Sequence, residues 1–327
     1  MNYLKMSPMT GLSGYGGGAT GLGFVGAGVC TNTGVILGSR MYTASSNDGT
    51  NAIEYVTIQT TGNGTDFGDL SDNGSIKDGC SNGTIGLFGG SRGSGEIDYF
   101  TCSTSGNATK FGNLTSDRGP GCGTDGCYAL FGAGWNSGQN HRAIDYVCIA
   151  TPGNASDFGD CTAGRHGIKG ISDQVRVVFG GGENDSGGWT DVIDYVTVQT
   201  PGNASDFGDM TVARHGYAGY GNGTRGIMAC GKEGRSSNDW TAAIDYITID
   251  TTGNASDFGD ATAARYSMGG ACDATRGLQA GGYQTQGGGG SNLDVIDYIT
   301  IDTTGNASDF GDLLVSRRSH ACLSGGS

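Results

Sequence analysis

Apolar and polar positions in this chain alternate over runs of about six residues and then break at a turn; they hold no helical period. The best-formed stretch is AIDYITIDTTGNASDFGD, residues 243–260. In it Ile244, Tyr246 and Thr248 project to one side, and Ala243, Ile247 and Ile249 to the other. A period of two is the strand signature. Because both faces are apolar, the strand is expected to be covered on both. Variants of the stretch begin at Ile53, Ile97, Ile144, Ile193 and Ile296, and its acidic residue recurs at Glu54, Asp98, Asp145, Asp194, Asp245 and Asp297. The spacings are 44, 47, 49, 51 and 52 residues. A repeat of that length suits one four-stranded blade of a propeller.

The unit from Arg214 to Arg265 predicts the four strands in turn. A glycine-rich segment (216–221) leads through Asn222-Gly223, a favoured two-residue hairpin turn, into a second apolar strand (226–231). A long polar loop precedes the third strand (244–249). The turn 251–254 then opens the outer segment, Asp-Phe-Gly-Asp. Glycine-rich inner strands fit the crowding at a propeller axis. With 66 glycines but only 4 prolines in 327 residues and no Gly-X-Y period, collagen is excluded, and almost no helix is expected.

The expectation is therefore an all-β, six-bladed propeller of four-stranded antiparallel blades over residues 26–327, with 1–25 as an extension lying over the ring or on a neighbour. Residues 317–327 match only the first strand of a unit, while the N-terminal region supplies a second strand (35–38), a third and a fourth. A terminal strand then closes the ring, leaving no free edge. Residues 26–31 also read as a first strand, which would make the C-terminal one surplus. Closure from the C-terminus is preferred because the chain stops where that strand would end.

The units resemble kelch repeats. The diglycines are Gly89-Gly90, Gly180-Gly181 and Gly281-Gly282. The third-strand tyrosines are Tyr55, Tyr99, Tyr146, Tyr195, Tyr246 and Tyr298. Phe67, Phe111, Phe158, Phe207, Phe258 and Phe310 stand where kelch repeats have Trp, twelve residues after the tyrosine, and Arg118, Arg165, Arg214, Arg265 and Arg317 follow. The longer spacing makes the match kelch-like and not standard kelch. The wording IDYVTI…TTGNASDFGDLT…AR is also similar to kelch-like repeats of bacteriophage virion proteins, above all marine ones. That resemblance implies a non-enzymatic structural protein of the virion, assembled in the host cytoplasm. It would be tail-, fibre- or capsid-associated and oligomeric within its assembly. Its partners would be other virion proteins and a host-surface glycan or receptor. A bacterial carbohydrate- or protein-binding module is the alternative, and a kelch oxidase-type enzyme a remote third.

Charge narrows the partners. Eighteen basic against 32 acidic residues give a net charge of −14, with no basic stripe for nucleic acid. The opening MNYLKMSPMTGL has no signal-peptide core, and no apolar run is long enough for membrane insertion. No cofactor or metal is expected. Cys122 and Cys127 leave a disulfide or metal pair open, against a bland reading as buried apolar residues. The repeated Asn and Asp of the outer turn read as turn formers first and cation ligands second. The Asn-X-Ser/Thr at Asn63, Asn107, Asn154, Asn203, Asn254 and Asn306 is a glycan acceptor only in a secreted eukaryotic context. The third-strand acid should accept backbone amides or pair with a repeated arginine, because an unpaired buried carboxylate is costly. His166, His215 and His320 are expected in ordinary packing roles.

Variation between units lies in the loops from second to third strand. They carry Tyr42, Trp135, His141, Trp189, Arg235, Trp240 and Tyr283, which are the candidate contact residues for a protein or sugar. The competing reading is that each Trp folds down over its own loop.

Overall fold

The computed structural model describes residues 38–44, 49–234, 239–286 and 289–326. They form six antiparallel four-stranded sheets arranged as the blades of a propeller, two of them with an extra short strand, and no helix occurs among the described residues. Blade five is representative, running from the axis outward as Ala218–Gly221, Arg225–Lys232, Trp240–Thr248 and Ser256–Asp260. The inner strands of successive blades touch one another all the way round, including blade six against blade one.

Closure comes from the C-terminus. Ala321–Gly325 pairs with Arg40–Ala44, so blade one is built from both ends of the chain. Its second strand is Arg40–Ala44, beyond the expected run 35–38, so Tyr42 stands in a strand and not in a loop. Residues 1–37, with the expected extension and the competing strand at 26–31, lie outside the described residues, as does Arg235.

The apolar core is divided into six layers, each shared by two neighbouring blades. Between blades five and six, for example, Ile227, Ile244 and Phe258 meet Met268, Ile299 and Ile301. Each third-strand tyrosine meets the phenylalanine of its own outer strand edge-on; for Tyr246 and Phe258 the ring centroids are 6.1 Å apart at 78°. The phenylalanine is the extra residue of a bulge. Ile244 faces Gly259 and Asp245 faces Asp257, so Phe258 has no partner across the ladder and turns into the inter-blade layer.

Glycine follows it for a steric reason. At Gly259 (φ +145°) a Cβ would lie 2.5 Å from the Gly305 carbonyl oxygen of the next blade. At the axis the limit is backbone against backbone. A Cβ on Gly170 would sit 2.2 Å from the Cys122 carbonyl oxygen.

Candidate functional site

The repeated polar residues are consumed by the framework. In blade five the Asp245 carboxylate lies 2.8 Å from the Arg214 guanidinium and accepts the Thr211 hydroxyl (2.8 Å) and amide (3.1 Å). Acid and arginine are both fully buried. Arg118–Asp145, Arg165–Asp194, Arg265–Asp297 and Arg317–Glu54 repeat the pair, as the cost of a lone buried carboxylate requires. Blade two departs. Asp98 has only the Ser71 hydroxyl, and the cation it feels is Lys77, whose ammonium pairs instead with Asp72 at 2.8 Å. Burial pushes the Asp98 carboxyl up.

The outer-turn asparagine also proves structural, and it acts between blades. The Asn254 side-chain oxygen accepts the Asp209 amide of the preceding blade at 3.1 Å. Asn63, Asn107, Asn154, Asn203 and Asn306 do the same, completing a hydrogen-bonded circuit of the rim. The backbone turn reading of these residues therefore gives way to an inter-blade staple.

The face bearing the second-to-third-strand loops is different. Trp135, Trp189, Trp240 and Tyr283 are drawn together through the residues that follow the repeated arginines, His166, His215 and Tyr266. Trp135 meets His166 at 6.2 Å between centroids, and His166 meets His215 at 6.3 Å. Trp189 stacks on His215 (5.7 Å, 26°) and Trp240 on Tyr266 (5.8 Å, 29°), with Tyr283 edge-on to Tyr266. Cations sit on this arc: Arg92 over Trp135 at 4.1 Å, Lys232 over Trp189 at 5.8 Å, Arg318 over Tyr283 at 4.3 Å. The tryptophans thus neither stand alone nor cover only their own loops; each packs on a ring or cation from a neighbouring element. His166 is oriented by the Asn140 side-chain oxygen at 2.7 Å. Burial, with His166 and Lys232 nearby, lowers the His215 imidazole to about 3.

Two candidates fall elsewhere. Tyr42 is fully buried between blades one and two, its hydroxyl donating to the Cys102 carbonyl, so it is no exposed contact residue. His141 is half-buried beside the arc-bearing blade three, its amide donating to Gly134. The arc residues His166, His215, Tyr266 and Arg318 were legible only as the variable position after each repeated arginine. Cys122 does not face Cys127: its sulfur lies 3.0 Å from that of Cys80, while Cys127 packs between blades three and four. Among the described residues no three His, Cys, Asp or Glu side chains converge on a point where a metal ion would sit.

Beneath the arc an axial cavity of about 150 Å³ is lined by Ile76, Lys77, Pro120, Ile168, Met268 and His320 at its walls, with Arg92 and Trp135 at its rim. Lys169 lines this cavity and reaches across the axis to Asp78 at 3.0 Å. Asp78 in turn lines a second, smaller cavity of about 80 Å³ towards the opposite face. The ion pair spans blade three, where Gly121 occupies the matching position and offers no side chain. A scan against protein-family models finds no match for this chain, and a search of curated proteins finds no relative.

Proposed function

We propose that this chain is a non-enzymatic structural subunit of a bacteriophage virion, a kelch-like propeller that meets other virion proteins or a host surface through its loop face. The observation that carries the reading is the division of labour in the ring. The repeated acids, arginines and asparagines are engaged in holding blades together, whereas the loops that do not repeat assemble one arc of rings and cations across blades three to six. A rigid closed scaffold presenting variable aromatic loops is suited to contact rather than turnover. The assignment to a virion rests on the likeness of the IDYVTI…DFGD wording to phage repeat proteins, since a propeller alone specifies no function.

The test is mass spectrometry of density-purified particles of the phage that encodes the chain. The chain should be present in stoichiometric amount, and an antibody to the loop face should label intact particles. Its absence from washed particles would sink the virion assignment. A second reading, a carbohydrate-binding module, is favoured by the same arc. It predicts retention on a glycan array that is weakened in Trp189→Ala.

A further inference from the structure

We propose that the axial cavity under the arc is a binding site for a sugar acid of the hexuronate class, a six-membered ring bearing one carboxylate. This goes beyond the contact role of the loops, and it stands on the cavity's own walls.

The first ground is size and lining. About 150 Å³ takes a benzene-sized body, so the cavity seats one face of a pyranose ring and leaves its outer substituents at the open rim. Its walls are largely apolar, from Ile76, Pro120, Ile168 and Met268, and they suit the CH face of a pyranose. Polar groups at the lining are the Ser267 and Ser319 hydroxyls, His166, His215 and the cations Lys77, Lys169 and Arg92. No carboxylate lines it, on a chain with 32 acids and 18 bases. A cavity with donors and without carboxylates selects for an anion with hydroxyls.

The second ground is Arg92. Lys77 and Lys169 are each held from behind by an acid, Asp72 and Asp78. Arg92 has no such partner among the described residues. Its guanidinium carbon lies over the Trp135 ring, 4.1 Å from the centroid, and with no acid on its donors they are left for a carboxylate. The Ser267 and Ser319 hydroxyls and the His215 ring likewise have no hydrogen-bond partner among the described residues. His320 is fully buried at the wall without a hydrogen bond of good geometry, and burial, with Arg317 and Lys169 nearby, pushes its imidazole well down and keeps it neutral, outweighing the pull of the Ala280 carbonyl.

The third ground is the repeat itself. Backbone hydrogen bonds run head to tail round the axis from Ile76 to Ser319, Ser319 to Ser267, Ser267 to Gly216 and Gly216 to Gly167. The residue after each of these lines the cavity in four cases, Lys77, His320, Met268 and Ile168, while Tyr217 is buried between blades four and five. Pro120 holds the place in blade three. Six blades carry six different residues there, while the framework positions scarcely change. A purely structural wedge would repeat, and this one does not.

The experiment is isothermal titration of the full chain with glucuronate, with glucose, and with an oligosaccharide ending in glucuronate, each also on Arg92→Gln. Arg92 is exposed, so the variant should keep the parent melting temperature. Glucuronate should saturate one site per chain. Glucose, which carries a CH2OH in place of the carboxylate, should bind at least about tenfold more weakly, and Arg92→Gln should weaken glucuronate by about the same factor. Tighter binding of the oligosaccharide than of free glucuronate assigns the site to a glycan end, and equal binding to the free acid; either result supports the proposal. No saturation by either acid, equal affinity for glucose, or an unchanged affinity in Arg92→Gln would overturn it.

Discussion

Asp245→Ala strands a charge, and its cost can be worked from the geometry. Asp245 neutralises the Arg214 guanidinium at 2.8 Å in a place where both side chains are buried. Without the carboxylate, Arg214 keeps one bond, from Nη2 to the Met228 carbonyl at 3.0 Å, while its Nε and Nη1 already lack partners. The Thr211 amide loses its acceptor as well. Removing one member of a buried, hydrogen-bonded pair costs about 3–5 kcal/mol. Unfolding entropy of about 2.1 cal/mol/K per residue over 327 residues gives roughly 0.7 kcal/mol/K, so the melting temperature should fall by about 4–7 °C if the ring melts as one unit. Asp98→Ala is the internal control. It has no buried guanidinium to strand, one of its oxygens has no partner, and burial already penalises its charged form. Its loss should be about 1 kcal/mol, the worth of the Ser71 hydrogen bond. Arg214→Met with Asp245→Leu should restore most of what Asp245→Ala removes, because a packed apolar pair avoids the desolvation cost. The assay is calorimetry of the single and double variants side by side. Equal losses at Asp245 and Asp98, or a double variant no better than the single, would refute the account.

Three further outcomes follow from the same geometry. The His215 imidazole is lowered from 6.5 to about 3, so its contribution to stability is fully present above pH 6.5 and is lost as pH falls towards 3, at up to about 1.4 kcal/mol per pH unit. In thermal melts the parent should lose more stability than His215→Phe as the pH drops through that window, and parallel curves would contradict it. Gly259→Ala should cost about 1–3 kcal/mol more than Gly253→Ala in urea unfolding. Both have positive φ, but only the first sets a Cβ against the next blade's carbonyl, whereas the second meets nothing within 4 Å. Truncation after Ser319 removes Ala321–Gly325 and leaves Arg40–Ala44 as a bare edge beside exposed core. It should produce aggregates in gel filtration and a lower, broader melt, and a parent-like monomer would show that the closing strand is dispensable.

The fold was legible because a blade is written locally. The period-two stretch, the Asn-Gly turn and the Asp-Phe-Gly-Asp bulge each specify one element, and the count of copies specifies the ring. Pairings across blades were harder. The Asn254 staple joins residues 45 apart whose affinity for each other depends on how two blades meet, so sequence could show only that asparagine recurs. The Asp245–Arg214 partnership was readable, since a buried carboxylate needs a donor and only one cation type recurs. Tyr42 was misplaced because the second strand of blade one starts two residues beyond the expected run, where no diglycine marks its end. Of the arc, the tryptophans were legible as residues of segments that vary, although Trp135 and Trp240 fall within strands and not in the expected loops. Their partners His166, His215 and Tyr266 were not, because nothing in a linear chain says that the residue after each arginine faces the loop of a neighbouring blade.

A ring of equal blades would set six copies of one side chain about its axis. Six copies of one charge would repel at close range in a low-dielectric channel, and six copies of a small residue leave only a hole. Here the repeat is broken, and the breaks are located. At the first position of the inner strand, Ala218, Gly269, Ala321 and Gly121 are small, and only Asp78 and Lys169 are charged. They carry opposite signs, in blades two and four, and they meet over the glycine of blade three at 3.0 Å. One residue earlier, all six blades differ. Drift in a repeat would scatter substitutions over exposed positions such as the outer turns, yet those turns remain nearly identical. Departures that are concentrated at the axis, charge-matched across it, and set beneath an unpaired arginine at the rim are what a site imposed on a repeated scaffold leaves behind.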